Sequence, residues 1–130
     1  MKIEKSNAEH LAESRVKVKL IVCRWTDKEA GDAANSDLEE QQEACEVFAA
    51  LQGVAIQKTY TARGRASEQP ELSEMLAYVK ALCDDSNTLA IVLMHYSVCI
   101  TLPLLFPEQF RELRKCQVNL IPVKLNPSQP

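Results

Sequence analysis

The sequence predicts an α/β fold: a three-layer sandwich whose mainly parallel, four-stranded sheet is flanked by helices. Apolar, strand-like runs at 16–26, 54–60, 89–94 and 118–123 alternate with helix-like segments, giving the order β, α, β, α, β, α, β. The intervening segments are long enough for parallel crossovers. Two runs, LIVC at 20–23 and LAIVLM at 89–94, are continuously apolar, as strands covered on both faces are.

Composition sets the bounds. The 130 residues suit one domain with a real core, and 46% hydrophobic and 25% charged residues with three Gly and six Pro are those of a globular chain, not a disordered one. Residues 16–124 are expected to form the α/β domain, with 1–15 a flexible charged arm and 125–130 a tail. No apolar run approaches the roughly 20 residues of a membrane helix, and MKIEKSNAEHLAES lacks the apolar centre of a secretory signal. The expectation is a cytoplasmic protein with no membrane partner. Five cysteines, an odd number without CxxC spacing, read as buried free thiols. No metal and no cofactor are expected. A net charge of −3 gives no general pull toward nucleic acid, so any DNA contact needs a local patch or a partner.

The first strand, 16–26, alternates Val16, Val18, Leu20 and Val22 with Lys17 and Lys19, then runs into Arg24-Trp25-Thr26. An arginine and a hydroxyl at the carboxyl end of a central strand lie where open α/β sheets place their sites. Trp25 either shapes a pocket there or packs under the adjoining loop. Residues 27–36 read as loop, with Ser36 or Asp37 capping a helix that carries Leu38, Gln41, Cys45, Phe48 and Gln52 at helical spacing and stops at Gly53. Val54, Ile56, Lys58 and Tyr60 give a second strand, and the loop after it holds Arg63 and Arg65 around Gly64. Leu72, Met75, Leu76, Val79, Leu82 and Cys83 predict an amphipathic helix. The third strand, 89–94, ends at His95-Tyr96-Ser97. Pro103 predicts a loop or irregular turn over 98–105, and the apolar segment 98–106 is either core or an exposed contact patch. A helix is expected over 107–116 with Phe106, Phe110 and Leu113 inward, then a last strand in which Pro122 argues for an edge.

Several of these segments resemble the catalytic domain of the serine recombinases, the resolvase and DNA invertase family. Arg24-Trp25-Thr26-Asp27 stands where the family has Arg, an apolar residue, the nucleophilic Ser and Thr. Leu38-Glu39-Glu40-Gln41-Gln42-Glu43-Ala44-Cys45 matches its first helix, Tyr60 through Leu72 its second strand and mobile loop, and Leu89 through Ile100 its third strand and the segment after it. The likeness spans about 16–124.

The resemblance implies DNA strand exchange, in which a serine hydroxyl attacks a phosphodiester while arginines neutralise the phosphate. It places Thr26 at the nucleophile position, keeps Arg24 beside it, and assigns substrate binding to Gln41, Arg63, Arg65 and Gln69. Gln69 replaces the loop arginine before Pro70. Tyr96-Ser97-Val98-Cys99-Ile100 replaces the family's Asp-Arg-Leu-Ser-Arg, so both of that segment's arginines are gone. Arg63 and Arg65 either supply charge from shifted positions or are solvated. On the same resemblance, no counterpart of the family's long helix and DNA-binding module is expected after Lys124. The expectation is a degenerate active site in a domain of mobile-element descent, catalytically inactive and acting as a binding, regulatory or vestigial domain. Its expected partners are DNA, weakly or through a partner, a second copy, or a related recombinase. The alternative is an active recombinase cutting through Thr26. A third reading is a different small enzyme using Thr26, His95, or the thiols of Cys23 and Cys99.

Overall fold

A computed structural model describes residues 16–28, 30–116 and 118–124; the predicted arm and tail lie outside the described residues. The elements are β1 (Lys17–Thr26), α1 (Asp32–Gln52), β2 (Ile56–Arg63), α2 (Pro70–Cys83), β3 (Thr88–His95), α3 (Tyr96–Leu105), α4 (Pro107–Lys115) and β4 (Asn119–Val123). The four strands form one parallel sheet in the order β2-β1-β3-β4. The apolar first run is thus a central strand, and Pro122 falls on an edge strand, as predicted.

Two apolar layers hold the sheet. On one face Leu20, Val22 and Leu93 pack against Ala44, Cys45 and Ala49 of α1. On the other, Ile21, Cys23, Val92 and Met94 pack against Leu72, Met75 and Val79 of α2 and against Val98, Leu102, Phe106, Phe110 and Leu113 of the α3–α4 segment. Period-two alternation along β1 sends successive side chains to these opposite layers.

Three local predictions are corrected. Helix α1 begins at Asp32, not at Ser36 or Asp37; its N-cap is Gly31 at φ 104°, with no side-chain cap. Buried Ala34 adds a contact that favours the longer helix, and Asp37 is turned toward Thr26 instead of capping. Gly53 does end the helix, at φ 70°.

In β2 the pairing with β1 slips between Leu20↔Ile56 and Ile21↔Lys58, so one extra residue enters β2. The predicted single alternation through Val54, Ile56, Lys58 and Tyr60 is therefore broken: Val54 and Ile56 pack with the α1 layer and Tyr60 with the opposite one.

The third correction is α3, a helix where a loop or irregular turn was expected, with Pro103 inside it. Proline in a helix interior costs about 3 kcal/mol. Burial of Val98, Leu102 and Phe106, at roughly 1.5–3 kcal/mol each, outweighs it. The segment divides: those three side chains are core, while Ile100 and Leu104 are 63% and 77% exposed. No helix of the described residues is long and apolar enough to cross a membrane.

The topology creates a crevice. From β1 the chain leaves through α1 toward β2, and from β3 it leaves through α3 and α4 toward β4, on the opposite side. Pairing of β1 with β3 extends to Val22↔Leu93, whereas β1 continues with β2 as far as Thr26↔Arg63. Past Val22 the two central strands part, and the carboxyl ends of β1 and β3 flank an opening under α1.

Candidate functional site

The opening is a cavity of about 180 Å³, lined by Trp25, Thr26 and Asp27 from β1 and its loop, Asp37, Glu40 and Gln41 from α1, and His95, Ser97, Val98 and Thr101 at the β3–α3 junction. Asp37, Glu40 and Gln41 stand at i, i+3 and i+4, so one face of α1 carries all three toward the strand ends.

Thr26 is 2% exposed. Its hydroxyl donates to Asp37 Oδ2 at 3.1 Å and accepts the Lys28 N–H at 3.3 Å. The Lys28 ammonium reaches the same Asp37 oxygen at 3.1 Å and Asp27 at 3.7 Å, which raises its pKa through Asp37 first and Asp27 second. Arg65 lies 3.7 Å from Asp27.

Arg24 shares the α1-side face with Thr26, but its Nε and Nη2 donate to Thr61 Oγ1 at 3.0 and 2.8 Å, across the β1–β2 pair. Partial burial, followed by the neighbouring Arg63 guanidinium, pulls its pKa below the ordinary arginine value. Arg63 is exposed and occupies the register position opposite Thr26.

Gln41 and Gln69 are both buried and both engaged with main chain. The Gln41 amide donates to the Trp25 carbonyl at 2.7 Å and accepts the Trp25 N–H at 2.9 Å. It satisfies the strand edge that β3 has left behind, as a neighbouring strand would. Gln69 donates to the carbonyls of Ala66 and Gly64 at 3.0 and 3.4 Å and so braces the loop entering α2.

Trp25 combines its two readings. The residue is 8% exposed and its Nε1–H donates to the Gly64 carbonyl at 2.9 Å, under the loop, while it also lines the cavity. Gly64 sits at φ 77°, a left-handed conformation that favours glycine, and its N–H bonds the Thr26 carbonyl at 2.9 Å.

Sequence reasoning places Asp37 and Glu40 only as helix-start residues and Ser97 only as part of a replaced arginine segment. A 3.6-residue count back from Gln41, with the helix start set at Asp32, puts Asp37 and Glu40 on the cavity face; that periodicity is the signal that could have found them. His95 is 7% exposed, with Nδ1 2.9 Å from Ser97 Oγ and Nε2 3.6 Å from Glu40 Oε2.

The thiols stand apart from this arrangement. Burial pushes Cys23 and Cys45 up to about 12 and raises Cys99 as well, the opposite of an activated thiolate. Cys23 and Cys45 are accordingly expected to resist a thiol reagent at pH 8 in the native protein and to react after denaturation, read by peptide mapping. Because their folded values lie above the unperturbed value of 9.0, their contribution to stability is intact below about pH 9 and is lost as the pH rises toward about 12. Among the described residues, no group of three or more His, Cys, Asp and Glu is placed to hold a metal ion.

No family model and no curated protein matches the sequence. Among solved structures the chain is similar to the crystal structure of the C-terminal catalytic domain of ISC1926 TnpA, an IS607-like serine recombinase. The TM-score is 0.60 over 85% of this chain and 71% of that one, at 12% identity, a likeness of fold.

Proposed function

We propose that this chain is a recombinase-like domain that does not cleave DNA and acts by binding a protein partner, a second copy or a related recombinase. The fold likeness and the position of Thr26 on the wall of the crevice support the lineage. One observation carries the loss of cleavage: Asp27, Asp37 and Glu40 line the cavity beside the Thr26 hydroxyl. A phosphate oxygen within about 4 Å of one carboxylate meets roughly 4 kcal/mol of repulsion at an effective dielectric of 20. Lys28 stands against Asp37 and Arg65 against Asp27, so the charge of these two cations is already engaged. The exposed Ile100 and Leu104 on α3 supply apolar surface for a partner.

The Thr26–Asp37 hydrogen bond favours a second reading, in which the carboxylate takes the hydroxyl proton and Thr26 attacks DNA. One experiment separates the two. The purified protein, alone and mixed with a full-length serine recombinase, is incubated with DNA carrying that recombinase's site, quenched in detergent, and resolved for a covalent adduct. The expected result is no adduct on this chain, with sedimentation showing self-association or a complex with the recombinase. An adduct that Thr26→Ala abolishes and Thr26→Ser strengthens establishes cleavage instead.

A further inference from the structure

The β3–α3 junction holds a second hydroxyl, imidazole and carboxylate in line, independent of Thr26. The helix cap fixes the imidazole tautomer: the Ser97 N–H donates to His95 Nδ1 at 3.4 Å, so that nitrogen carries a lone pair and Nε2 carries the proton. The Ser97 hydroxyl therefore donates to Nδ1, at 2.9 Å, while Nε2–H faces Glu40 Oε2 at 3.6 Å. That last distance is longer than a hydrogen bond, and the Glu40 side chain, 62% exposed, has room to close it. Tyr96 packs on the imidazole at a centroid distance of 4.9 Å and limits its rotation. Ser97 is exposed and borders the cavity. In the first turn of α3 the Val98 N–H has no acceptor within the helix, and it follows the hydroxyl directly.

We propose that Ser97 is a nucleophile activated by His95, with Glu40 as positioning residue, for hydrolysis of short, uncharged carboxylic esters. The cavity volume admits a small acyl group, and its carboxylates disfavour anionic ones. As Ser97 Oγ bonds to the ester carbonyl carbon, its proton passes to His95 Nδ1, and the oxyanion faces the Val98 N–H. Collapse breaks the carbon–alkoxy bond, and the leaving alcohol takes the proton from His95. Water, giving a proton to His95, then attacks the acyl-serine and releases the carboxylic acid, the imidazole returning its proton to Ser97 Oγ. The inference stands apart from the binding role above, in which Ser97 and His95 take no part.

The test uses p-nitrophenyl acetate with the full chain. The expected result is a stoichiometric burst of p-nitrophenolate and an acetyl group mapped to Ser97 by mass spectrometry. Ser97→Ala is expected to lose the burst and about 100-fold or more in kcat/KM. That variant keeps the main-chain N–H that caps α3, so its circular-dichroism melt should match that of the parent. Glu40→Gln should lower kcat and leave KM unchanged, a split that a purely structural carboxylate does not produce. Turnover no faster than an equal concentration of imidazole, acetylation confined to cysteine or lysine, or an undiminished burst in Ser97→Ala overturns the proposal.

Discussion

Gln41→Leu is expected to destabilise the domain by about 2–5 kcal/mol, a substantial share of the roughly 5–15 kcal/mol that holds a typical domain folded. The parent amide serves a buried donor and a buried acceptor at once, the Trp25 N–H and C=O. Leucine is close in size and keeps the helix, so the loss isolates those two hydrogen bonds. Each stranded group costs on the order of 1–3 kcal/mol because it faces α1, not water. Gln41→Glu should fall between the parent and leucine: an ionised carboxylate still accepts from the Trp25 N–H but repels the Trp25 carbonyl. Urea titration of the three proteins measures both gaps. A leucine variant within about 0.5 kcal/mol of the parent, the size of an ordinary surface change, would show that solvent reaches the Trp25 edge.

Phe110→Ala is expected to cost about 3–5 kcal/mol. Phe110 is fully buried in the layer that joins α2, α3 and α4 to the sheet, with Met75, Val79, Leu102 and Leu113 in the same cluster. Its loss removes transfer free energy and leaves a void bounded by three helices. The consequence should spread to α3, whose helical form depends on burial to offset Pro103. Amide exchange should therefore speed up over Tyr96–Leu105 more than over Asp32–Gln52, which lies on the other side of the sheet. A phenylalanine-to-leucine change at the same position should retain most of the stability and slow exchange back toward the parent.

Much of the fold is legible in the sequence because its signals are local and redundant. Continuous apolarity in LIVC and LAIVLM marks two central strands, Gly53 marks a helix end, and Pro122 marks an edge. The misreadings each involve a tertiary term that local sequence does not carry. Pro103 reads as a breaker unless the burial of Val98, Leu102 and Phe106 is known. The extra residue in β2 changes which layer receives Ile56 and Tyr60, although the pattern around it alternates without interruption. Asp37 has the chemistry of a cap, and only the position of Gly31 shows that it is free to turn inward to Thr26. At the candidate site the sequence points to the carboxyl end of β1, where Thr26 lines the cavity and Arg24 turns instead to Thr61. It does not reveal the carboxylates opposite them, because those arrive from one face of a helix that starts earlier than its capping residues suggest, nor the commitment of Gln41 and Gln69 to main chain.

Trp25 is the single tryptophan of the chain. Its indole is held under the Gly64 carbonyl beside the cavity, so the tryptophan fluorescence of the whole protein originates at the crevice. Emission from this protein is a built-in optical probe of one place: a change in its wavelength or its quenching by iodide reports what happens between β1 and the Gly64 loop. Titrations of DNA, partner protein or ester can be followed there without a label.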